Sequence, residues 1–185
     1  GPDLIVKHYH CRGPRDFLKH LLLPTKARAE WHAARMLARA GISAPRMLAF
    51  AENKRLGIFR DAALVMEACP GRPPLELASE SPARRRNVLE SIGALCARMH
   101  RNGIIHPDFH TGNILAEETA DGLRLHVLDL HSVRRAAFLS MAARARGLAL
   151  VAQAVSTIAT DDDLRCMCQA YAAEAGLPEC AADRL

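Results

Sequence analysis

Aromatic residues are scarce: one Trp, two Tyr and five Phe make up 4% of a chain of 185 residues. The core must therefore be assembled mainly from Leu, Ala, Val, Ile and Met, as in helix-rich domains. A surface that stacks bases on interleaved aromatic rings is disfavoured, and no nucleic-acid partner is expected. The six cysteines, at positions 11, 69, 96, 166, 168 and 180, form no CxxC pair. Such scattered thiols suit a reduced chain better than a disulfide framework or a zinc ribbon. No apolar run exceeds Gly147 to Val155, far short of the roughly 18 residues that a spanning helix needs. No signal pattern opens the chain, and a cytoplasmic protein is expected. Internal repeats and low-complexity tracts are also missing.

What is present is an ordinary globular balance, 50% hydrophobic and 24% charged, which excludes disordered and collagenous classes. Lys and Arg number 25 against 20 Asp and Glu, a formal balance of +5 before nine histidines are counted. That length corresponds to one domain or a large piece of one.

Leu4-Ile5-Val6-Lys7 reads as a short strand ending in a lysine, followed by a basic linker from His8 to Lys26. Thr25 caps a helix that runs to about Ala40, where Gly41 stops it and Pro45 prevents its resumption. On this helix Glu30, Ala33, Ala34 and Leu37 share one face, while Arg28, His32, Arg35 and Arg39 share another. Glu30 is out of place on a small apolar face, and a buried carboxylate there needs a partner. Met47 to Phe50, Leu56 to Phe59 and Ala63 to Met66 read as strands separated by turn residues such as Asn53 and Gly57. Pro70-Gly71-Arg72-Pro73-Pro74 breaks the pattern and reads as a hinge.

Ser81 and Pro82 open a long helix with Val88, Leu89, Ile92, Leu95, Cys96 and Met99 on its apolar face, closed by Gly103. Ile104-Ile105, Asn113 to Ala116 and Leu123 to Leu128 read as short strands, with Asp121-Gly122 as a hairpin turn. From about Ala136 the chain is expected to be helical. Three aspartates, Asp161 to Asp163, follow Thr160 and suit the first turn of the last helix better than a metal site. His8 and His10, two apart on a strand, would share a face, but no third ligand is spaced nearby.

The segment His100 to Leu115 carries the most chemical information. A polar loop there holds Asp108 and, five residues later, Asn113; a further carboxylate, Asp129, follows the apolar strand ending Val127-Leu128. Phosphoryl transfer needs a base to orient an acceptor hydroxyl and hard oxygen ligands to hold Mg²⁺ against the β- and γ-phosphates. Asp108 fits the first role, and Asn113 with Asp129 the second. Upstream, in the order such a site requires, stand a strand lysine, Lys7, and a helix glutamate, Glu30.

These segments resemble the protein kinase-like fold and, more narrowly, the bacterial lipopolysaccharide core kinase family, which phosphorylates heptose or Kdo sugars of the inner core. The resemblance rests on Ile5 to Tyr9, on Arg28 to Trp31 leading to Ala40 to Pro45, on His106 to Asn113 and on Asp129-Leu130-His131. It extends from Leu4 to about Ala175. The Asp-Leu-His sequence, where protein kinases write Asp-Phe-Gly, is the discriminating detail. The resemblance implies an α+β bilobal fold, with a partial N-lobe of sheet and one helix over 1–69 and a mainly helical C-lobe over 70–185.

It also implies ATP and Mg²⁺ as cofactors: Lys7 on the phosphates and paired with Glu30, Asp108 as catalytic base, Asn113 and Asp129 on magnesium. His110 would lie near the γ-phosphate and His106 would anchor the loop. Glu67, Ala68 and Cys69 would form the hinge that meets adenine, and His131 would help to fix the Asp129 loop. The implied partner is a lipid-linked core oligosaccharide, with Arg28, Arg35 and Arg39 against an anionic membrane surface on the inner face of the cytoplasmic membrane.

Two departures stand out. Pro107 occupies the place of an arginine that answers to activation-loop phosphorylation in many protein kinases. No glycine-rich, phosphate-covering loop precedes Lys7, so the chain is expected to be a kinase core lacking its first strands. The alternatives are a small atypical protein Ser/Thr kinase and, from another class, a pseudokinase or scaffold.

Overall fold

The computed structural model describes residues 3–10, 24–55 and 58–178. Its first part is an antiparallel sheet in the order β1–β3–β2, with β1 at Leu4–His10, β2 at Met47–Arg55 and β3 at Ile58–Glu67. Helix α1, Lys26–Arg39, packs on this sheet; Ala27 is enclosed with Phe59, Ala62, Leu64 and Met66, and Trp31 meets Phe50 at 5.2 Å between ring centroids. The Thr25 hydroxyl accepts from the Arg28 N–H, the expected cap.

β3 is one continuous strand rather than two pieces, because it pairs along its length with both neighbours. Asn53, expected in a turn, lies inside β2 opposite Asp61 and donates to its carboxylate at 3.0 Å. The strand at β1 extends to His10, beyond the Lys7 boundary expected from apolarity alone; the remaining linker residues from 11 to 23, like Leu56 and Gly57, lie outside the described residues.

The second part is built around two helices, α3 at Pro82–Arg101 and α5 at Asp161–Ala175. Val88, Leu89, Ile92, Leu95 and Met99 of α3 pack with Met167 and Tyr171 of α5 and with Leu148 and Val151 of α4, Met141–Val155. Each such buried side chain contributes about 1.5–3 kcal/mol. Gly93 permits the close approach of α3 and α5, since a Cβ there would lie 2.2 Å from the Met167 carbonyl oxygen. Arg85 and Asp163 join the same helices at 2.7 Å. The Asp163 carboxylate also accepts from the Thr160 N–H at 2.9 Å, so this aspartate belongs to a capping box.

A short helix, α2 at Pro74–Glu80, occupies part of the segment read as a break. Pro74 stands in its first turn, where a missing N–H costs nothing. The chain beyond Ala136 is not helical until Met141, whose helix is capped by Ser140. In between, β4 at Ile104–Ile105 pairs with β7 at Arg134–Arg135, and β5 at Ile114–Thr119 forms a hairpin with β6 at Gly122–Val127. The turn residues of that hairpin are Ala120 and Asp121, one position earlier than expected, with Gly122 already paired to Thr119. Gly103 takes a φ of 67° directly against the Ala136 carbonyl, which a Cβ would meet at 2.6 Å. The two parts are stitched together by Ser43, whose carbonyl accepts from the Val127 N–H at 2.9 Å.

Candidate active site

The alternation of a strand sends Lys7 and Tyr9 to one face of β1 and His8 and His10 to the other. On the inward face the Lys7 ammonium donates to both oxygens of Glu30 at 3.1 Å, and the Tyr9 hydroxyl donates to Glu30 Oε1 at 2.7 Å. Glu30 is 1% exposed, so these donors are the partners that its position on the apolar helix face required. Burial, then the Glu30 hydrogen bond, push the Tyr9 phenol far above its ordinary pKa, which makes it a neutral donor. The place of Tyr9 two residues after Lys7, on the same side of the strand, was the sequence signal for this contact. On the outer face His8 and His10 stack at 6.3 Å, without a third metal-binding group among the described residues.

Asp129 brings the downstream half to this pair. Its Oδ1 lies 4.0 Å from Lys7 Nζ and 2.7 Å from His131 Nδ1. Burial would raise the Asp129 pKa, but the His131 hydrogen bond and the Lys7 and His131 charges outweigh it and hold the carboxyl below its ordinary range. Its backbone is left-handed, with φ 49° and ψ 59°, a strained conformation that Asp tolerates better than most residues. The 3-10 turn that follows, Leu130–Ser132, packs against α1, so the helix carrying Glu30 and the loop carrying Asp129 share one contact. Glu30, Asp129 and His131 place donor atoms within 4.8 Å of one another, but Lys7 and Tyr9 already engage the Glu30 carboxylate.

The loop holding Asp108 is fixed by its neighbours. His106 Nδ1 accepts from the Asp108 N–H at 3.3 Å, which leaves the ring proton on Nε2, 3.1 Å from the Leu128 carbonyl. Burial lowers the His106 pKa and keeps this ring neutral, as a histidine that both accepts and donates must be. The Asn113 side-chain amide donates to the Asp108 carbonyl at 2.8 Å and lies 3.3 Å from Asp108 Oδ2. With its NH₂ group engaged there, the Asn113 oxygen is the free end. His110 Nδ1 accepts from the Gly112 N–H at 3.1 Å, and its Nε2 lies 3.6 Å from Asp108 Oδ1.

Of the three residues expected to meet adenine, Glu67 pairs with Arg46 at 3.0 Å and the Ala68 N–H donates to the Asp3 carbonyl at 2.8 Å. Cys69 is half-buried, and burial together with the nearby Glu117 charge pushes its thiol up to about 11, so it is an unreactive thiol rather than a nucleophile. The arginine stripe on α1 divides. Arg28 is held by Glu52 of β2 at 2.7 Å and is withdrawn from the stripe, leaving Arg35 and Arg39.

The oxygen donors Asn113 Oδ1 and Asp129 Oδ2 suit magnesium, which prefers one or two protein oxygens and completes its shell with phosphates and water. Residues 5–171 match the Lipopolysaccharide kinase (Kdo/WaaP) family. The chain belongs to this family. Among Kdo/WaaP relatives, the lipopolysaccharide core heptose(I) kinase WaaP of Pseudomonas aeruginosa is 30% identical over 146 residues, covering 71% of this chain and 54% of that protein. The 3-deoxy-D-manno-octulosonic acid kinase of Vibrio vulnificus is 34% identical over 97 residues, covering 51% and 41%. The chain thus spans about half the length of the curated relatives it matches.

Among solved structures, WaaP in complex with acyl carrier protein superposes with a TM-score of 0.69 at 24% identity, over 85% of this chain and 69% of that one. The bifunctional kinase-methyltransferase WbdD superposes with a TM-score of 0.54 at 21% identity, over 96% and 42%. At these identities the likeness is one of fold, and the fold is protein kinase-like. No helix among the described residues is long and apolar enough to cross a membrane.

Proposed function

We propose that this chain carries the catalytic centre of an ATP-dependent sugar kinase that phosphorylates a heptose or Kdo hydroxyl of the lipopolysaccharide inner core. The observation that carries the reading is the Lys7 ammonium, set between Glu30 at 3.1 Å and Asp129 at 4.0 Å in a chain of the Kdo/WaaP family. Lys7 binds the α- and β-phosphates of ATP while Glu30 and Tyr9 keep its strand and helix together. The backbone groups of Glu67, Ala68 and Cys69 border the adenine, with residues 1–69 and 70–185 acting as the two lobes.

Asn113 and Asp129 would hold magnesium, which would supply positive charge to offset that of the ATP phosphates. Asp108 accepts the proton of the sugar hydroxyl, whose oxygen bonds to the γ-phosphorus as the bond to the ADP oxygen breaks. The anchored Asp108 backbone leaves its carboxylate exposed toward an acceptor, and His110 beside it steadies the γ-phosphoryl charge. A lipid-linked core oligosaccharide presents that hydroxyl at the inner membrane face.

Transfer of labelled γ-phosphate to heptose- or Kdo-bearing lipid A acceptors tests this. Asp108→Ala is expected to lower the rate by about 10²–10⁴, the usual worth of a general base. Equal transfer by Asp108→Ala and the parent chain would overturn the assignment of the base.

A further inference from the structure

Outside this site a basic cleft of about 430 Å³ lies between α1 and β7. His32, Arg35 and Arg39 of α1 face Arg135 of β7 across it, with Asn102 and Ile104 between them, and no carboxylate lines it. The helix spacing of three and four residues puts the α1 groups on one face, and the β4–β7 ladder holds Arg135 opposite Ile104. Other arginines of the described residues meet acids, among them Arg28 with Glu52, Arg46 with Glu67 and Arg85 with Asp163. Arg35, Arg39 and Arg135 have no such partner among the described residues.

Like charges one helical turn apart, facing a third across a gap, repel one another, so an anion in the cleft would remove an existing cost as well as add contacts. Planar guanidinium groups converging from two elements match the several oxygens of a phosphoryl group, each able to take charge-assisted hydrogen bonds. We propose that this cleft is a phosphoryl-binding site, separate from the one formed by Lys7 and Asp129. Its mechanical consequence follows from the chain. α1 also carries Glu30, and Arg135 stands six residues after Asp129. A phosphoryl group gripped from both sides fastens the helix that positions Lys7 to the segment that positions Asp129.

The site is tested by binding, which does not depend on the kinase reading. Calorimetric titration of the chain with inorganic phosphate and with pyrophosphate covers a soluble source. Sedimentation with phosphatidylcholine vesicles containing phosphatidic acid covers a lipid headgroup. Arg39→Glu and Arg135→Glu are each expected to weaken binding at least about tenfold, since a charge-assisted hydrogen bond is worth about that much and the sign is reversed. Arg86→Glu, at an exposed arginine on α3, is expected to leave it unchanged, and Lys7→Met, which disables the other phosphate-binding position, removes only the contribution of that position.

Saturating pyrophosphate should also slow amide hydrogen exchange over residues 26–40 in the parent chain and not in Arg135→Glu. Loss with the cleft variants in the soluble titrations assigns a free phosphoryl ligand, and loss in the vesicle assay alone assigns a lipid headgroup. No binding in either assay, or binding that Lys7→Met removes and the cleft variants keep, overturns the proposal.

Discussion

Removing either member of the Lys7–Glu30 pair breaks the same two hydrogen bonds, yet the two substitutions should have unequal effects. At 3.1 Å and an effective dielectric of about 20 the gross attraction is ~5 kcal/mol, and the 4.0 Å contact from Lys7 to Asp129 is worth ~4 kcal/mol on the same footing. Glu30→Gln leaves an ammonium that is 33% exposed, keeps Asp129 within reach and retains an oxygen for Tyr9. Its net cost should be about 1 kcal/mol.

Lys7→Met instead strands a carboxylate that is 1% exposed, with the Tyr9 hydroxyl as its remaining hydrogen-bond donor among the described residues, and stranding a buried charge costs about 3–5 kcal/mol. At roughly 2–4 °C per kcal/mol for a chain of this size, Lys7→Met should lower Tm by about 6–20 °C and Glu30→Gln by about 2–4 °C. The double variant Lys7→Met/Glu30→Gln should recover part of the Lys7→Met loss, because no charge is then left unpaired. Thermal denaturation monitored by far-ultraviolet circular dichroism measures all three. A Glu30→Gln cost equal to or greater than that of Lys7→Met, or a double variant no better than Lys7→Met, would refute the view that burial of Glu30 sets the energetics of this pair.

Two further predictions concern the helical part. Burial lowers the His100 pKa from 6.5 to about 4, and the ring is held at 3.0 Å from the Tyr171 hydroxyl. The unfolded chain therefore binds the extra proton first, and up to roughly 3 kcal/mol of stability is lost as pH falls from about 6.5 through about 4; in urea titrations across that range His100→Gln should show a shallower decline than the parent, and an equal slope would exclude this histidine as the source. Gly93→Ala should cost about 1–3 kcal/mol by prising α5 from α3, read as a lower denaturation midpoint with the Met167 carbonyl contact as its cause, whereas Ala at the open Gly41 should cost only its left-handed backbone strain; equal shifts for both would contradict the close approach.

Much of the downstream half of the candidate site was legible because it is local. Asp108 and Asn113 lie five residues apart on one loop, and Thr25, Ser81 and Gly103 mark helix ends by chemistry acting within a few residues. Glu30 was legible for another reason: a charge on an apolar helix face predicts a partner even when the partner is remote.

What escaped was set by pairing across distance. Arg60 and Asp61 interrupt the apolar rhythm of β3, and only its ladders with β1 and β2 carry the strand through them. Whether an arginine on α1 is free or bound depends on Glu52, 24 residues after Arg28, so the stripe could not be divided by inspection. Pro74 looked like a breaker because a proline at a helix start and a proline in a loop are the same letter, and the packing of Leu77 against the core decides between them.

The Ser43–Val127 hydrogen bond that joins the two parts also has the character of a fulcrum. It lies just past the C-terminal end of α1, and Glu30 stands ten residues before Ala40, roughly 15 Å along the helix axis. With that lever arm, a tilt of about 10° pivoting at Ser43 displaces the Glu30 carboxylate by ~2.6 Å. Such a displacement nearly doubles a 3.1 Å separation when directed away from Lys7, so the packing of Ala27, Ala33, Ala34 and Leu37 that resists the tilt also protects the ion pair. The contact between Lys7 and Glu30 therefore depends on how firmly the far end of this helix is held.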